Sequence, residues 1–207
     1  MGKSNFNESG NSIFEKISSF FAPSEDSKSK SKFVFQLFNL SVSNISDYEI
    51  FANYNVGASK IYICKDKKGK MHYLIDEPQI DNVGKALYTK IMRFLYISLP
   101  SEIENDQSTR IYLKKKVIEI GKKMKLEKHV IPIIDTLLYY VMRDAFGYGI
   151  IDVLMKDENL EDILEESFDK PIGVIHKKFG EYNILDTNIT FDSVESTNSF
   201  VQKLVQK

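Results

Sequence analysis

The sequence predicts an α+β fold, and three observations lead to this prediction. Between Lys32 and Pro78, aromatic and β-branched residues recur in short runs separated by turn residues, which is typical of strands. From Ile80 to Phe146, apolar residues recur at helical spacing. After Gly147, short strand-like and helix-like runs alternate. We therefore expect a β-hairpin and strand region with a three-helix segment, followed by a small α/β subdomain.

The first part of the chain is predicted to be a tethered helix. Four apolar residues of "NSIFEKISSFF" share one face of a helix: Ile13, Ile17, Phe20 and Phe21. The polar stretch that follows, "APSEDSKSKSK", is typical of a flexible linker. This face could dock on its own domain, on a partner protein or on a membrane. A membrane is the weakest of the three alternatives, because the polar face is not basic. The predicted organisation is thus a tethered helix and linker at 1–31, a mixed β-hairpin and helical subdomain at 32–146, and the small α/β subdomain at 147–207.

Four segments are predicted as strands: "KFVFQLFNL", "YEIFANYNV", "SKIYICKD" and "KMHYLIDEP". The last two flank the turn-rich "KDKKGK" and should pair as a hairpin. Cys64, the one cysteine, lies within this region and is expected to be a small buried apolar residue.

Three helices are expected at 80–99, 110–128 and 129–146. The second has an apolar side and a lysine-rich side, and the third is apolar nearly all round, which predicts a central, buried helix. The lysine-rich side is either a solvated face or a surface that meets acidic groups of a partner subunit. On the second alternative, the partner-docking candidates are Lys114, Lys115, Lys122 and Lys123.

Gly147 and Gly149 are predicted to stop the third helix, because glycine tolerates the left-handed conformation of a helix cap. A short helix is expected within "GIIDVLMKDENLEDI". The segment "PIGVIHKKFGEYN" alternates like a strand, with Ile172, Val174 and His176 on one face. A short strand in "NITFDS" and a final helix in "SVESTNSFVQKLVQK" complete the prediction.

Composition and motifs exclude several classes of site. The formal net charge is −1, which argues against a nucleic-acid partner. The chain has neither the glycine-rich phosphate loop nor a multi-cysteine metal motif, and its three histidines are scattered: His72, His129 and His176. We therefore predict no catalytic residue, no metal site and no cofactor in this chain. The start of the sequence has no apolar signal core, so a cytoplasmic location is expected.

The junction "YYVMRDAFGYGIIDVLMKDENLEDI", with "PIGVIHKKFGEYN" and "NITFD", resembles the N-terminal domain of the type II/type IV secretion superfamily ATPases. The resemblance is nearest to the archaeal branch, which drives archaella and type IV pilus-like filaments. Upstream, Tyr73, Glu77 and Pro78 are similar to a Tyr-x-x-x-Glu-Pro pattern of that branch. Met142 stands where the family often has an acid, and Lys177 stands where it often has an arginine.

The resemblance implies that a RecA-like motor, absent from this chain, belongs to the parent protein. The parent would be a hexameric ATPase that uses ATP and magnesium, while this chain alone would not hydrolyse ATP. Its implied partners are its own motor domain, neighbouring subunits of the hexamer and a membrane platform protein, which would hold it peripherally at the inner face of the membrane. Lys177 and Lys178 are implied to face the nucleotide, and Lys178 is favoured because strand alternation would point the two lysines to opposite faces. The alternative is a stand-alone protein-interaction adaptor without a motor.

Overall fold

The computed structural model describes residues 37–98, 106–167 and 169–191. The chain forms two compact units: a helical unit around Ile80–Gly147, and a sheet unit that combines Phe38–Gln79 with the chain from Tyr148 onward. Helices and a mixed sheet are therefore segregated, and the predicted α+β class is confirmed. The predicted helices around residues 13–21 and 193–207 lie outside the described residues.

The division into units differs from the predicted one. We expected the hairpin strands to share a subdomain with the helices at 32–146, whereas the structure pairs those strands with strands from beyond residue 147. The physical reason is backbone hydrogen bonding, because the third strand has an open edge that a later strand satisfies. The predicted boundary between 146 and 147 lies one residue before the point at which the chain leaves the helical unit.

The helical unit contains α1 (Asn82–Ser98), α2 (Asp106–Lys123), α3 (Glu127–Val130) and α4 (Ile134–Val141). A 3-10 turn joins α3 to α4, and a π-helical turn, Met142–Phe146, follows α4. The predicted third helix is therefore a chain of short helical pieces, with Pro132 at the start of the 3-10 turn. None of the described helices is long and apolar enough to cross a membrane.

The core of the helical unit confirms the predicted faces. In α2, three residues at helical spacing are at most 2% exposed: Leu113, Val117 and Ile120. Helix α4 buries most of its length, namely Ile134, Leu137, Leu138, Tyr140 and Val141. In α1, Leu87 and Ile91 are buried, whereas Val83, at the same helical spacing, is 53% exposed.

The sheet unit contains β1 (Glu49–Val56), β2 (Ser59–Lys65), β3 (Met71–Asp76), α5 (Asp152–Lys156), β4 (Leu160–Leu164), β5 (Gly173–His176) and β6 (Leu185–Thr187). The strand order is β1-β2-β3-β6-β5-β4, and only the β3–β6 pair is parallel. The predicted β2–β3 hairpin is confirmed. Alternate residues of these strands form the core together with residues of and near α5: Ile61, Ile63, Tyr73, Ile75, Ile151, Val153, Leu154, Ile172, Val174 and Leu185. Cys64 is fully buried as expected, and burial, with the carboxylate of Asp66, raises the pKa of its thiol to about 11.

Three strand predictions differ from the structure. Residues 37–40 of the first predicted strand form no strand, because Leu40 exchanges hydrogen bonds with Glu77 instead. The strand predicted in "NITFDS" does not form over its described residues, 188–191, and β6 ends at Thr187. The Asn188 side chain replaces further pairing by bonding to both the N–H and the carbonyl of Ile75. Strand β4 was not predicted, because its acids interrupt the apolar alternation.

The two glycines of the junction have different roles. Gly149 has φ 61°, in the left-handed region that favours glycine, so the predicted reason holds there. Gly147 has φ −89° and extended backbone, so the left-handed explanation is wrong at that position.

Candidate functional site

A buried polar cluster lies on the core face of the sheet, and we call it the Asp157 cluster. It consists of Tyr54 from β1, Tyr73 from β3, His176 from β5, and Asp157 and Asn159 from the turn before β4. Tyr73 is fully buried, His176 is 1% exposed and Asp157 is 6% exposed. Strand alternation directs Tyr54, Tyr73 and His176 to the same face, where they meet the carboxylate.

The carboxylate of Asp157 is fully satisfied. Its Oδ2 accepts hydrogen bonds from the hydroxyls of Tyr54 and Tyr73, each at 2.6 Å. Its Oδ1 accepts from the backbone N–H and the side-chain amide of Asn159, each at 2.9 Å. Burial alone would raise the pKa of Asp157, but the hydrogen bonds from Tyr54, Tyr73 and Asn159 outweigh burial and hold the pKa below its ordinary value. The buried carboxylate is thus stabilised by four donors.

The hydrogen bonds also determine the tautomer of His176. Its Nδ1 accepts from the backbone N–H of Lys178 at 3.1 Å, so in the neutral ring the proton lies on Nε2. Nε2 lies 3.2 Å from the Tyr54 hydroxyl, which in turn donates to Asp157. The chain of donation therefore runs from His176 to Tyr54 to Asp157.

The electrostatics of the cluster set the protonation states of its tyrosines and its histidine. Burial, followed by the hydrogen bond to Asp157, raises the pKa of the Tyr54 and Tyr73 hydroxyls well above the ordinary value. Burial also lowers the pKa of His176, and the attraction of Asp157 does not overcome it. Both tyrosines stay protonated and the histidine stays neutral near pH 7. The cluster positions its neighbours and supplies no activated nucleophile.

The cluster also shows that the sheet is curled. β1 and β5 are separated by three other strands, so in a flat sheet they would lie about 19 Å apart. Tyr54 nevertheless comes within hydrogen-bonding distance of His176 and Asp157. Phe51 and Tyr182 bridge the same gap, with ring centroids 6.4 Å apart. We call this gap between β1 and the β4–β5 side of the sheet the seam.

Lys177 and Lys178 follow directly after β5, whose last residue, His176, belongs to the Asp157 cluster. The strand ends at His176 and both lysines lie in a turn, so the argument from strand alternation does not apply to them. Both side chains are exposed.

The two lysines differ in what they contact. Lys177 donates its backbone N–H to the carbonyl of Asn159 at 2.9 Å, and its ammonium donates to the carbonyl of Glu158. The Lys178 ammonium has no hydrogen bond or ion pair within the described part of the chain, while its backbone is held by His176. Of the two, Lys178 is therefore the cation that can reach an anion without breaking a contact.

The lysine-rich side of α2 is exposed, as the helical pattern predicts. Most of its candidates form surface ion pairs: Lys114 lies 3.7 Å from Asp135, Lys122 lies 3.5 Å from Glu127, and Lys123 lies 2.8 Å from Glu119. Lys115 has no ion-pair partner among the described residues. Exposed pairs of this kind contribute little to stability, so a docking role for these lysines stays a prediction. The apolar candidates Ile13, Ile17, Phe20 and Phe21 lie outside the described residues.

A second buried polar group occupies the π-helical turn of the helical unit. The guanidinium of Arg143 bonds to both carboxylate oxygens of Asp144, at 2.7 and 3.0 Å, and stacks on the ring of Tyr140 at 4.8 Å. The hydroxyl of Tyr88 donates to the same carboxylate at 2.6 Å. Arg143 is 3% exposed and is not available to a ligand. The bond from Tyr88 to Asp144 joins α1 to the turn after α4.

Sequence reasoning missed the Asp157 cluster. We treated His176 as one of three scattered histidines. One signal could have found part of it, because the alternation of β1 and β3 places a tyrosine on the core face of each strand. Among the described residues, no group of three or more histidine, cysteine or acidic side chains could hold a metal ion.

Comparison with known proteins finds similarity to archaeal proteins. It is 34% identical over 166 residues to the uncharacterized protein MJ1288 of Methanocaldococcus jannaschii, a match that covers 79% of this chain and 64% of that protein. It is 25% identical over 159 residues to the uncharacterized protein MJ0781 of the same organism, covering 72% of this chain and 20% of that protein. The chain thus spans less than two thirds of the length of either relative. No protein-family model matches it.

Proposed function

We propose that this chain is the N-terminal regulatory and docking domain of a hexameric secretion-type ATPase that powers assembly of type IV pilus-like filaments or secretion. We infer the family from the resemblance of the glycine junction and of the segments that follow it. The chain has no phosphate loop, so the hydrolysis of ATP belongs to a motor domain of the parent protein.

One observation carries the proposal. The region similar to MJ0781 is 72% of this chain but only 20% of that protein, so a related segment occurs within a much longer chain. A segment of this size in a long chain is a domain joined to others. That arrangement is what an N-terminal domain coupled to a motor requires.

The geometry around Lys178 supports a role near the nucleotide of the parent. The Asp157 cluster holds His176, and His176 holds the backbone of Lys178, while the Lys178 ammonium stays exposed and unpaired within the described residues. A lysine can neutralise a phosphate as a mobile point charge without bidentate geometry. Lys177 is less suitable, because its ammonium already contacts the carbonyl of Glu158.

A specific observation favours the second candidate, a stand-alone adaptor that binds a partner and has no motor. The match to MJ1288 covers 64% of that protein, so only about a third lies outside the match, the size of a single small domain. A related chain of that length has little room for a motor. In the adaptor, the exposed lysines of α2 would contact the partner.

The experiment that separates the two candidates uses the native host. Antibodies against the sheet unit report the mass of the natural protein, and a photo-crosslinker placed at Lys115 captures its neighbours. We expect a protein far heavier than the 23.9 kDa of this chain, crosslinked to copies of itself and to a membrane platform protein. A band near the mass of this chain, crosslinked to unrelated proteins, would support the adaptor and overturn the ATPase proposal.

A further inference from the structure

We propose that His176 is a pH-sensitive latch, which holds the backbone of Lys178 while its ring is neutral and releases it when the ring takes up a proton in mild acid. We call Lys177, Lys178 and Phe179, which follow β5, the lysine turn. The sheet unit stays folded when the latch opens, and the inference does not depend on the proposed attachment to a motor.

The latch is a hydrogen bond that a neutral imidazole can form and an imidazolium cannot. Nδ1 of His176 accepts from the backbone N–H of Lys178 at 3.1 Å. A ring nitrogen accepts only while it carries no proton, and both nitrogens of an imidazolium are donors. After protonation, the Nδ1–H of His176 and the N–H of Lys178 are two donors that face each other. One of them has to turn away.

The other side of the ring is held in both protonation states. Nε2 of His176 lies 3.2 Å from the hydroxyl of Tyr54, which donates to the carboxylate of Asp157 at 2.6 Å. Nε2 carries a proton in the neutral ring and keeps it in the imidazolium, and the positive charge strengthens its donation. The ring therefore stays in place, and it is the backbone of Lys178 that moves.

The Lys178 backbone can move without disturbing the sheet. The N–H of Lys177 donates to the carbonyl of Asn159 at 2.9 Å, and the N–H of Phe179 donates to the carbonyl of His176 at 3.0 Å. These two bonds flank Lys178 and involve no ring nitrogen, so protonation of His176 leaves both of them in place. The side chain of Lys178 is exposed, so its N–H can rotate towards solvent. The opening is thus confined to one amide of the lysine turn.

Titratable groups from several elements face the ring of His176. β1 supplies Tyr54 and β3 supplies Tyr73, and both stay neutral because burial, with the hydrogen bond to Asp157, raises their pKa well above the ordinary value. The turn before β4 supplies Asp157, whose hydrogen bonds hold its pKa below the ordinary value, so it stays ionised in mild acid. The lysine turn supplies the ammonium of Lys178. Among the described residues, the ring therefore faces one negative and one positive charge.

The balance of these groups sets the direction of the switch. Burial and the Lys178 ammonium lower the pKa of His176, while the carboxylate of Asp157 raises it, and the net shift is downward. The ring is therefore neutral at pH 7 and takes up its proton below the ordinary value of about 6.5. Opening of the turn admits water to the ring and lets the ammonium move away, which raises the pKa. A falling pH favours the form with the higher pKa, so mild acid opens the latch.

The test follows the full chain by nuclear magnetic resonance from pH 7.5 to pH 5. At pH 7.5 the ring nitrogens of His176 should report an unprotonated Nδ1. The amide signal of Lys178 should shift with the same midpoint as the ring, and its protection from hydrogen exchange should fall at least fivefold. The flanking amides of Lys177 and Phe179 should keep their protection.

Two substitutions separate the hydrogen bond from the charge. In His176→Gln the side-chain carbonyl can accept from the N–H of Lys178 but does not titrate, so the shift of the Lys178 amide with pH should disappear. In the matched control Lys178→Ala the N–H remains and the ammonium is lost. The amide of residue 178 should still shift, with a midpoint at higher pH, because the positive charge no longer opposes protonation.

Four outcomes would overturn the proposal. The first is a neutral ring with its proton on Nδ1, and the second is a Lys178 amide that does not follow the titration of the ring. Both are measured on the parent chain, so they decide the matter even if His176→Gln does not fold. The third is a Lys178 transition that persists in His176→Gln. The fourth is the loss of all amide signals at the midpoint of the ring, which would mean that the sheet unit unfolds as a whole.

Discussion

The hydroxyl of Tyr54 donates a hydrogen bond of 2.6 Å to the carboxylate of Asp157, although 103 positions separate the two residues in the chain. This contact joins β1 to the turn before β4, and so connects the two sides of the curled sheet across the seam. It also orders the turn that carries Lys177 and Lys178, because His176 contacts both Tyr54 and the backbone of Lys178.

Asp157→Asn should lower the free energy of unfolding by about 2–4 kcal/mol, because it replaces a charged acceptor of four hydrogen bonds by a neutral amide inside the core. Urea denaturation followed by circular dichroism measures the change. Glu161→Gln alters an exposed acid of β4 and should stay within about 0.5 kcal/mol. Equal effects of the two substitutions would show that the cluster does not stabilise the sheet unit.

Stability should fall in acid in two steps. The pKa of His176 is lowered in the folded state, so its contribution is complete above the unfolded value of about 6.5 and declines as the pH falls below it. The pKa of Asp157 is also lowered, so its contribution is complete above about 3.9 and is lost as the pH falls further. Urea midpoints measured from pH 8 to pH 3 check both steps.

His176→Gln is the control for the first step, because glutamine does not titrate. The decline that begins near pH 6.5 should shrink in this variant, while the decline at lower pH should remain. A pH profile identical to that of the parent chain would show that His176 is not the titrating group.

Gly149→Ala should destabilise the chain by about 1–2 kcal/mol, because Gly149 has φ 61° and an alanine there strains the backbone. Gly180 provides the matched control. A methyl group added at Gly180 meets no atom within 4 Å, so Gly180→Ala should leave the urea midpoint nearly unchanged. Similar midpoints for both variants would mean that the junction relaxes without cost.

Lys178→Ala should reduce ATP turnover at least several-fold in the full-length parent that we propose, while Lys177→Ala should do much less. The reason is that Lys178 has an unpaired ammonium among the described residues, whereas Lys177 contacts the carbonyl of Glu158. Steady-state phosphate release measures both variants. If both hydrolyse ATP like the parent, the turn has only a structural role and the nucleotide-facing assignment is rejected.

Deletion of residues 1–31 should leave the melting temperature within about 3 °C, because the polar stretch at 24–31 has no apolar residue that could hold it to a core. A longer deletion that also removes Leu37 is the control. That side chain is 6% exposed in the helical core, so its loss should lower the melting temperature clearly. A large drop with the shorter deletion would mean that the Ile13–Phe21 helix completes a core.

Local patterns predicted much of the fold. The β2–β3 hairpin and the buried sides of α2 and α4 follow from alternation and helical periodicity, which depend only on neighbouring residues. Strand β4 could not be predicted in this way, because an edge strand in contact with solvent carries acids that hide the apolar pattern.

By itself, the sequence determined the fold class, the helical faces of α2 and α4, and the shared face of Ile172, Val174 and His176 at and just before β5, since each depends on spacing between near neighbours. The tertiary structure alone decided that strands from both sides of the helices share one sheet and that Asp157 has four donors. It also decided which of two adjacent lysines keeps an ammonium without a partner among the described residues. Hydrogen bonds depend on distances between atoms, and residues 103 positions apart come within 2.6 Å only after the sheet has paired and curled.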